Sequence, residues 1–215
     1  GDIIHSEPAV VIYPDPDGNP TTSDAKTVIF VGANDGLLHA IDDDTGRELW
    51  SFVPADQLGR LYRLNDADHD YFVDGSPVVY DGNNQKLLVI GARRGGDHYT
   101  VLDVTAYNAP RHLYSIGPTI LDPNPANTPD TDTYERLGQS WTRPERATVA
   151  TSSTVTTSGC NVNITVNSAD VFLFAGGYDN NQDADAPNAG PPPPGGGKPL
   201  LPRVSRLQRA VHPHA

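Results

Sequence analysis

The sequence predicts an all-β fold: a partial modified β-propeller with about three blades of antiparallel sheet, the third incomplete, followed by a Pro/Gly-rich disordered C-terminal tail. One stretch, residues 28–52, holds three short apolar segments separated by turns rich in Gly, Asn and Asp, which predicts three antiparallel strands. A similar pattern returns about 60 residues later. The spacing Ala40-x-Asp42-x-x-Thr45-Gly46-x-x-x-Trp50 is typical of a propeller blade, with the Trp on the outermost strand.

The predicted blades share this pattern of strands and turns and cover three ranges: about residues 6–52, 75–116 and 139–183. Asp42 and Asp103 take the same place in the first two copies, at the turn that follows a strand. Trp50 and Tyr114 likewise share a place on the outer strand. The third copy does not close, so residues 1–183 are expected to form a partial propeller.

Residues 184–215 depart from the blade pattern. Their composition changes to Pro and Gly, and the last stretch carries basic residues without acidic ones. Such a segment is expected to be disordered or an extended linker, foreign to the propeller or read out of frame in a truncated gene. Closed propellers typically use about four to eight blades, so three blades predict a piece of a larger propeller or one that borrows blades. The unclosed blade faces favour oligomerisation.

Composition excludes several classes of partner. The net charge of −12 and the pI near 4.7 oppose binding to nucleic acid and suit divalent cations. No apolar run approaches the roughly 18 residues of a membrane span. Cys160 is the single cysteine, which excludes an internal disulfide. Because the chain contains no Met, Gly1 is expected to follow a removed export signal or a domain boundary.

Two loops carry alternating carboxylate and amide oxygens and are candidate calcium sites: Asp15, Asp17, Asn19 and Asp24 in the first, and Asp66, Asp68 and Asp70 in the second. Ca²⁺ binds about six to eight hard oxygen ligands in such loops. The first loop starts like an EF-hand, but Pro20 stands where the Gly is needed and no Glu closes the loop. A solvated turn is the alternative for both loops. A weaker third series lies at residues 179–185.

The sequence contains no evident catalytic set. His39, His69 and His98 do not have metal-ligand spacing and are expected to be surface or hydrogen-bonded histidines. Ser76 has no neighbouring base and is expected to lie in a turn. Residues 93–97, RRGGD, predict either a basic contact loop or a solvated hairpin tip. Four large aromatic residues are expected in the core between blades: Trp50, Phe52, Phe72 and Trp141.

Six segments together resemble a known family: GDIIHSEP, VIFVGANDGLLHAIDDDTGRELWSFVP, YFVDGSPVV, RGGDHYTVLDVT, LGQSWxRP and FAGGYDNNQD. In this order they resemble the C-terminal propeller of the PilY family, the type IV pilus assembly factors and tip-associated adhesins of bacteria. The resemblance covers residues 1–183.

The resemblance implies a non-enzymatic protein that is exported to the cell surface, the pilus tip, the outer membrane or the periplasm of a Gram-negative bacterium. It implies minor pilins as partners, support of pilus extension against retraction, twitching motility, and adhesion to host or abiotic surfaces. It also implies a calcium site that modulates retraction. The family's calcium loop has no matching segment here, so its ligands cannot be assigned to residues of this chain.

Two alternatives remain open from the residues. The Ala-x-Asp-x-x-Thr-Gly-x-x-x-Trp spacing also occurs in pyrroloquinoline quinone dehydrogenases, but one cysteine cannot supply the vicinal pair that those enzymes commonly carry. A periplasmic scaffold propeller of outer-membrane assembly would share the blade repeat, although it gives no reason for the YFVDGSP and LGQSW segments.

Overall fold

The structure is a computed structural model that describes residues 1–14, 25–82, 84–119, 137–158, 161–177 and 203–206. Over these residues the chain forms two four-stranded sheets and one three-stranded sheet, all antiparallel. The predicted all-β fold class is confirmed, and the two four-stranded sheets have the consecutive strand order of propeller blades.

Sheet one holds four strands in the order of the chain: β1 (Ala9–Tyr13), β2 (Lys26–Gly32), β3 (Leu38–Asp42) and β4 (Glu48–Phe52). Buried positions alternate with half-buried ones along β3, as in a strand with one packed face. These strands lie within the range predicted for the first blade.

Sheet two repeats this order with β5 (Val78–Gly82), β6 (Gln85–Gly91), β7 (Tyr99–Asp103) and β8 (Arg111–Ile116). Between the sheets, the chain forms one helical turn, α1 (Ala55–Leu58), and a 3₁₀ turn at Leu61–Asn65. The sequence pattern did not indicate these two turns, because each is too short to show a helical period.

Sheet three consists of a long hairpin, β9 (Glu145–Ser158) and β10 (Asn161–Phe174), and a short strand, β11 (Arg203–Arg206). β11 pairs with the end of β10, from Val171 to Phe174. The open edge of β10 offers backbone hydrogen-bonding groups that this short segment of the tail satisfies. The expectation of a disordered or extended tail stays a prediction. The other residues between 184 and 215 lie outside the described part.

The register of the strands shows that the first two sheets are true repeats. Ala40 of β3 lies opposite Trp50, and Val101 of β7 lies opposite Tyr114. In each sheet the register shifts immediately after that pair. A β-bulge at the same place in both sheets confirms that Trp50 and Tyr114 are equivalent positions.

The aspartate that ends β3 organises the following turn. Asp42 accepts a hydrogen bond from the Asp44 backbone N–H at 3.0 Å. It also forms an ion pair with Lys26 at 2.6 Å. The Lys26 ammonium, together with hydrogen bonds from the turn, holds the pKa of the Asp42 carboxyl below its usual range.

The equivalent aspartate of sheet two makes the same kind of contacts. Asp103 accepts hydrogen bonds from the Thr105 backbone N–H at 3.0 Å and from Gln85 at 3.1 Å, and it pairs with Arg111 at 3.0 Å. Burial alone would raise the pKa of Asp103, but these donors outweigh burial and lower it. Lys26 and Gln85 are the first residues of β2 and β6, so the predicted equivalence of Asp42 and Asp103 is confirmed.

The sheets pack face to face through two apolar clusters. The first cluster joins sheets one and two through ten buried side chains: Tyr13, Val28, Phe30, Leu38, Ala40, Val73, Leu88, Ile90, Leu102 and Val104. The second joins sheets two and three: Leu87, Val89, Tyr99, Val101, Ile116, Leu137, Phe172 and Phe174. Sheet two is thus covered on both faces, because successive residues of a strand point to opposite sides.

Candidate interaction face

Three segments that connect the sheets meet at one end of the molecule: the N-terminal residues, residues 69–77 and residues 137–143. They surround the turn between β6 and β7. Five of their side chains form what we call the arginine–aromatic face: His5, Tyr71, Arg93, Arg94 and Trp141.

Ser140 fixes the position of Trp141 against the β6–β7 turn. The Ser140 hydroxyl accepts a hydrogen bond from the Ala92 backbone N–H at 2.8 Å and donates one to the Gly96 carbonyl at 3.1 Å. The Ser140 backbone N–H donates to the same carbonyl at 3.0 Å. A single small hydroxyl residue therefore joins the start of the third blade to the second.

The two arginines of the turn lie over aromatic rings. The guanidinium carbon of Arg93 is 4.8 Å from the centre of the Trp141 ring. That of Arg94 is 5.2 Å from the Tyr71 ring centre and 6.0 Å from the Trp141 ring centre. At these distances cation–π attraction holds the side chains in an alternating row, and Arg is the residue best suited to it.

Arg93 has an unusual backbone conformation. Its φ of 50° lies in the left-handed region, which non-glycine residues rarely adopt. Its Nε atom is buried without a hydrogen-bond partner among the described residues. Strained backbone and unsatisfied polar atoms cluster at functional sites, so both features mark this turn as a candidate for function.

The Tyr71 end of the face is anchored by a buried carboxylate. His5 Nδ1 lies 2.8 Å from the Asp74 carboxylate, and the Asp74 side chain is 1% exposed. The His5 ring centre is 6.1 Å from that of Tyr71, and the His69 ring meets Tyr71 edge-on at 5.0 Å. A buried carboxylate needs such a partner, so Asp74 fixes the N-terminal segment beside Tyr71.

Arg60 supports the face from below. Its guanidinium lies 5.2 Å from the Phe72 ring centre and donates hydrogen bonds to the Asp70 carboxylate at 2.8 Å and to the Tyr71 carbonyl at 3.0 Å. It also donates to the carbonyl of Gly95 in the β6–β7 turn. A Cβ at Gly95 would lie 1.7 Å from the Phe72 carbonyl oxygen, so only glycine permits this approach.

A buried histidine lies on the other side of the same turn. His98 Nδ1 contacts the Asp97 carboxylate at 2.6 Å, and Nε2 contacts the Thr119 carbonyl at 3.0 Å. Burial alone would lower the pKa of His98, but these two acceptors outweigh burial and raise it. Burial raises the pKa of the neighbouring Asp56, and His98 opposes that rise only in part.

The structure assigns different surroundings to the four predicted core aromatics. Phe72 is buried, and Trp50 and Phe52 pack against the first cluster, as predicted. Trp50 also donates a hydrogen bond to the Tyr107 carbonyl of sheet two at 2.7 Å. The prediction is wrong for Trp141, which is 38% exposed and covered by arginines, because no blade packs against its other side within the described residues.

The predicted histidines differ in burial. His39 bonds Glu48 at 2.7 Å and His69 bonds Asp2 at 2.9 Å, so both are hydrogen-bonded as expected. His98 is buried, although it lies in a polar stretch of the sequence. No local pattern predicts that this histidine is covered, because some of its neighbours in the fold, such as Asp56, come from a distant segment.

The structure describes only the second of the two candidate calcium loops. Asp15, Asp17, Asn19 and Asp24 lie outside the described residues. In the second loop Asp70 pairs with Arg60 at 2.8 Å and Arg63 at 3.0 Å, and Asp66 lies 3.7 Å from Arg63. Within the described ranges, no group of three or more His, Cys, Asp or Glu side chains is arranged to hold a metal ion. Calcium binding stays a prediction.

The sequence indicates only one part of the arginine–aromatic face as a candidate for binding, the RRGGD turn. It predicts Trp141 as a core residue and does not mark His5 or Tyr71. The missing information was that residues 71, 94 and 141 meet in space. The only available signal was that arginines and aromatic residues recur in the segments between strands.

The chain is similar to known proteins of one family. The chain is 37% identical over 141 residues to the type IV pilus biogenesis factor PilY1 of Pseudomonas aeruginosa, which covers 54% of this chain and 12% of that protein. It is 34% identical over 160 residues to a PilY1 homolog of Xylella fastidiosa, covering 60% of this chain and 13% of the relative. The chain is a homologue of the PilY1 proteins. The resemblance noted in the sequence is confirmed.

Two further findings complete the comparison. The crystal structure of the Pseudomonas aeruginosa PilY1 C-terminal domain aligns with a TM-score of 0.47 at 25% identity, covering 72% of this chain and 25% of that one. No family model matches the sequence. The chain spans only about an eighth of the length of the PilY1 relatives, 12% and 13% in the two cases.

No helix in the described part of the chain is long and apolar enough to cross a membrane.

Proposed function

We propose that the chain is a non-enzymatic binding part of a type IV pilus biogenesis factor that acts in the cell envelope or on the cell surface. The observation that carries this proposal is the homology to PilY1 proteins, which are named as type IV pilus biogenesis factors. The arginine–aromatic face supports a binding role, because it places cations and rings at the surface.

The finer functions that we propose are support of pilus extension against retraction, contact with minor pilins at the pilus tip, and surface adhesion with twitching motility. Modulation by calcium is part of the proposal, with the ligands expected among the acidic loops. Each of these functions depends on the whole protein, of which this chain covers a small share.

The experiment is to shear surface filaments from the source bacterium and from a strain that lacks the gene. We expect an immunoblot to find the protein in the sheared fraction and the deletion strain to carry fewer pili. Deletion in a strain that also lacks the retraction motor separates assembly from retraction. If the protein supports extension against retraction, we expect pili to return in that double mutant.

A matched control is the deletion strain complemented with the intact gene, which should restore piliation. Normal piliation after deletion, with the protein found only in the periplasm, would contradict the proposed function. Absence of pili in the double mutant would instead place the protein in assembly itself and contradict the role against retraction.

A further inference from the structure

Arg94 has no carboxylate partner among the described residues of this strongly acidic chain. The sequence holds 27 acidic and 15 basic residues, and four arginines of the described part have ion pairs with carboxylates: Arg60, Arg63, Arg111 and Arg143. Arg94 is exposed and forms no ion pair with any carboxylate of the described residues. Its contacts are with the rings of Tyr71 and Trp141.

The two rings hold Arg94 in a defined position. Stacking on a ring uses the flat face of a guanidinium and leaves its N–H edge free, which is the edge that binds a carboxylate through two parallel hydrogen bonds. Arg93 holds Trp141 from the neighbouring side at 4.8 Å. Because the Arg94 side chain is already ordered, it loses less conformational entropy when a ligand binds, which favours binding.

Trp141 offers an apolar surface beside this charge. Its side chain is 38% exposed, and Ile3 and Ile4, next to His5 in the sequence, are 53% and 48% exposed. A cation beside a partly exposed indole ring fits a ligand that combines a carboxylate with an apolar group. Aromatic and arginine side chains of this kind dominate the energy of protein interfaces.

The charge distribution favours a peptide over an extended polyanion. The net charge of −12 repels nucleic acids and sulfated polysaccharides at long range. Close to the face, the carboxylates of Asp2, Glu7 and Asp97 contact His69, Arg143 and His98 and would oppose a ligand with many charges. A single carboxylate, by contrast, needs only the free N–H edge of Arg94.

We infer that the arginine–aromatic face binds an acidic peptide segment of a partner protein, in which Arg94 takes a carboxylate and Trp141 contacts an adjoining apolar side chain. This inference does not depend on the pilus function.

The test uses the purified 215-residue chain and a blocked, labelled hexapeptide with one Glu between two Leu and Ser at the other positions. The matched probe has Gln in place of that Glu. We expect fluorescence anisotropy to show binding of the Glu peptide that weakens with added salt, and little binding of the Gln peptide. The Arg94→Gln variant should lose about tenfold or more in affinity, the effect of one bidentate charge pair.

Two variants sharpen the test. Arg94→Lys keeps the charge but loses the planar fork, so we expect an affinity between those of the wild type and Arg94→Gln. Arg111→Gln removes an arginine that already pairs with Asp103, so we expect the affinity of the wild type. Because Arg94 is exposed, both Arg94 variants should keep the wild-type circular dichroism and melting temperature.

Three outcomes would overturn the inference. One is equal binding of the Glu and Gln peptides, and another is unchanged affinity in a folded Arg94→Gln variant. The third is binding of a sulfated polysaccharide through Arg94 with no binding of the acidic peptide, which would assign the face to a different class of partner.

Discussion

Sheets one and two have the same strands, the same bulge and equivalent turn aspartates, yet they differ in how their faces are covered. In β6 and β7 nearly every apolar side chain is buried, with neighbouring residues belonging to different clusters. In β1 of sheet one, Val10 and Ile12 are 62% and 61% exposed. The repeat sets the hydrogen-bonding pattern, whereas the neighbouring sheets decide which side chains are buried.

The difference is already present in the two sequences. The central strands of sheet two read KLLVIG and YTVLDV, which are nearly continuous apolar runs, as expected for a sheet buried on both sides. β3 of sheet one reads LHAID, where buried residues alternate with half-buried ones. The part of sheet one that carries Val10 and Ile12 is therefore uncovered within the described part of the chain.

The largest expected effect compares one substitution in the two sheets. Ile90→Ala in β6 removes a side chain that is 1% exposed, so we expect a loss of about 2 to 5 kcal/mol in the free energy of unfolding. Ile12→Ala in β1 should cost less than about 0.5 kcal/mol, because that side chain is mostly exposed. Urea unfolding of both variants measures the difference.

Equal losses for the two isoleucines would contradict the difference in burial. The comparison becomes sharper when Ile12→Ala is repeated in a longer form of the protein that contains further blades. If an additional blade covers the free face of sheet one, the cost of Ile12→Ala should rise toward that of Ile90→Ala.

The sequence predicted the repeated part of the fold and not the contacts between repeats. Local spacing identified the strands, the turn aspartates and the equivalence of Trp50 and Tyr114, because each depends on neighbours within one blade. Burial of His98 and exposure of Trp141 depend on segments far away in the chain, so no local pattern could show them. The candidate face was missed as an assembly for the same reason.

His98 provides the next largest effect and belongs to sheet two alone. Both of its ring nitrogens face acceptors, so the doubly protonated ring satisfies both hydrogen bonds. Its pKa is raised in the folded state, so its stabilisation is fully present below about pH 6.5 and is lost as the pH rises through the folded pKa. The pKa of Asp56 is also raised, so its protonated form likewise contributes stability that is lost as the pH rises, but over a lower pH range.

We therefore expect His98→Gln to cost about 2 kcal/mol near pH 6, the value of a hydrogen bond to a charged group, and less near pH 9. Thermal melts of the wild type and the variant across this range give the difference. His69→Gln, at an exposed pair, should change little at any pH in the range. If the loss of stability in His98→Gln increases with pH, the predicted pH dependence is wrong.

The turn aspartates test whether equivalent positions are also equivalent in energy. Asp103→Asn keeps an acceptor for the Thr105 N–H but weakens the pair with Arg111, so we expect a loss of about 1 kcal/mol near pH 7. Asp42→Asn should lower stability in the same direction through Lys26.

The pH dependence of these two variants has the opposite sign to that of His98. Both carboxyls have lowered pKa values, so their contribution is present above about pH 4 and is lost as the pH falls through the folded pKa. Denaturation of each variant at pH 7 and pH 2 should show the deficit only at pH 7. If only one of the two variants loses stability at pH 7, the two aspartates have the same geometry but contribute differently to the free energy of unfolding.

The smallest expected effect concerns calcium and compares the two acidic loops. Asp66 and Asp70 already have arginine partners, so Ca²⁺ in the second loop would have to displace Arg63. The first loop, with Asp15 and Asp17, is the better candidate on this ground. At about five times its Kd, Ca²⁺ would stabilise the fold by about 1 kcal/mol.

We expect the melting temperature to be higher in millimolar Ca²⁺ than in excess chelator. The double variant Asp15→Asn with Asp17→Asn should abolish that difference, whereas Asp66→Asn with Asp68→Asn should preserve it. Mg²⁺ at the same concentration is the matched ion, because it prefers a smaller octahedral site and keeps several waters. Loss of the Ca²⁺ effect only in the second double variant would show that calcium competes successfully with Arg63, and an unchanged melting temperature in the wild type would contradict calcium binding by either loop.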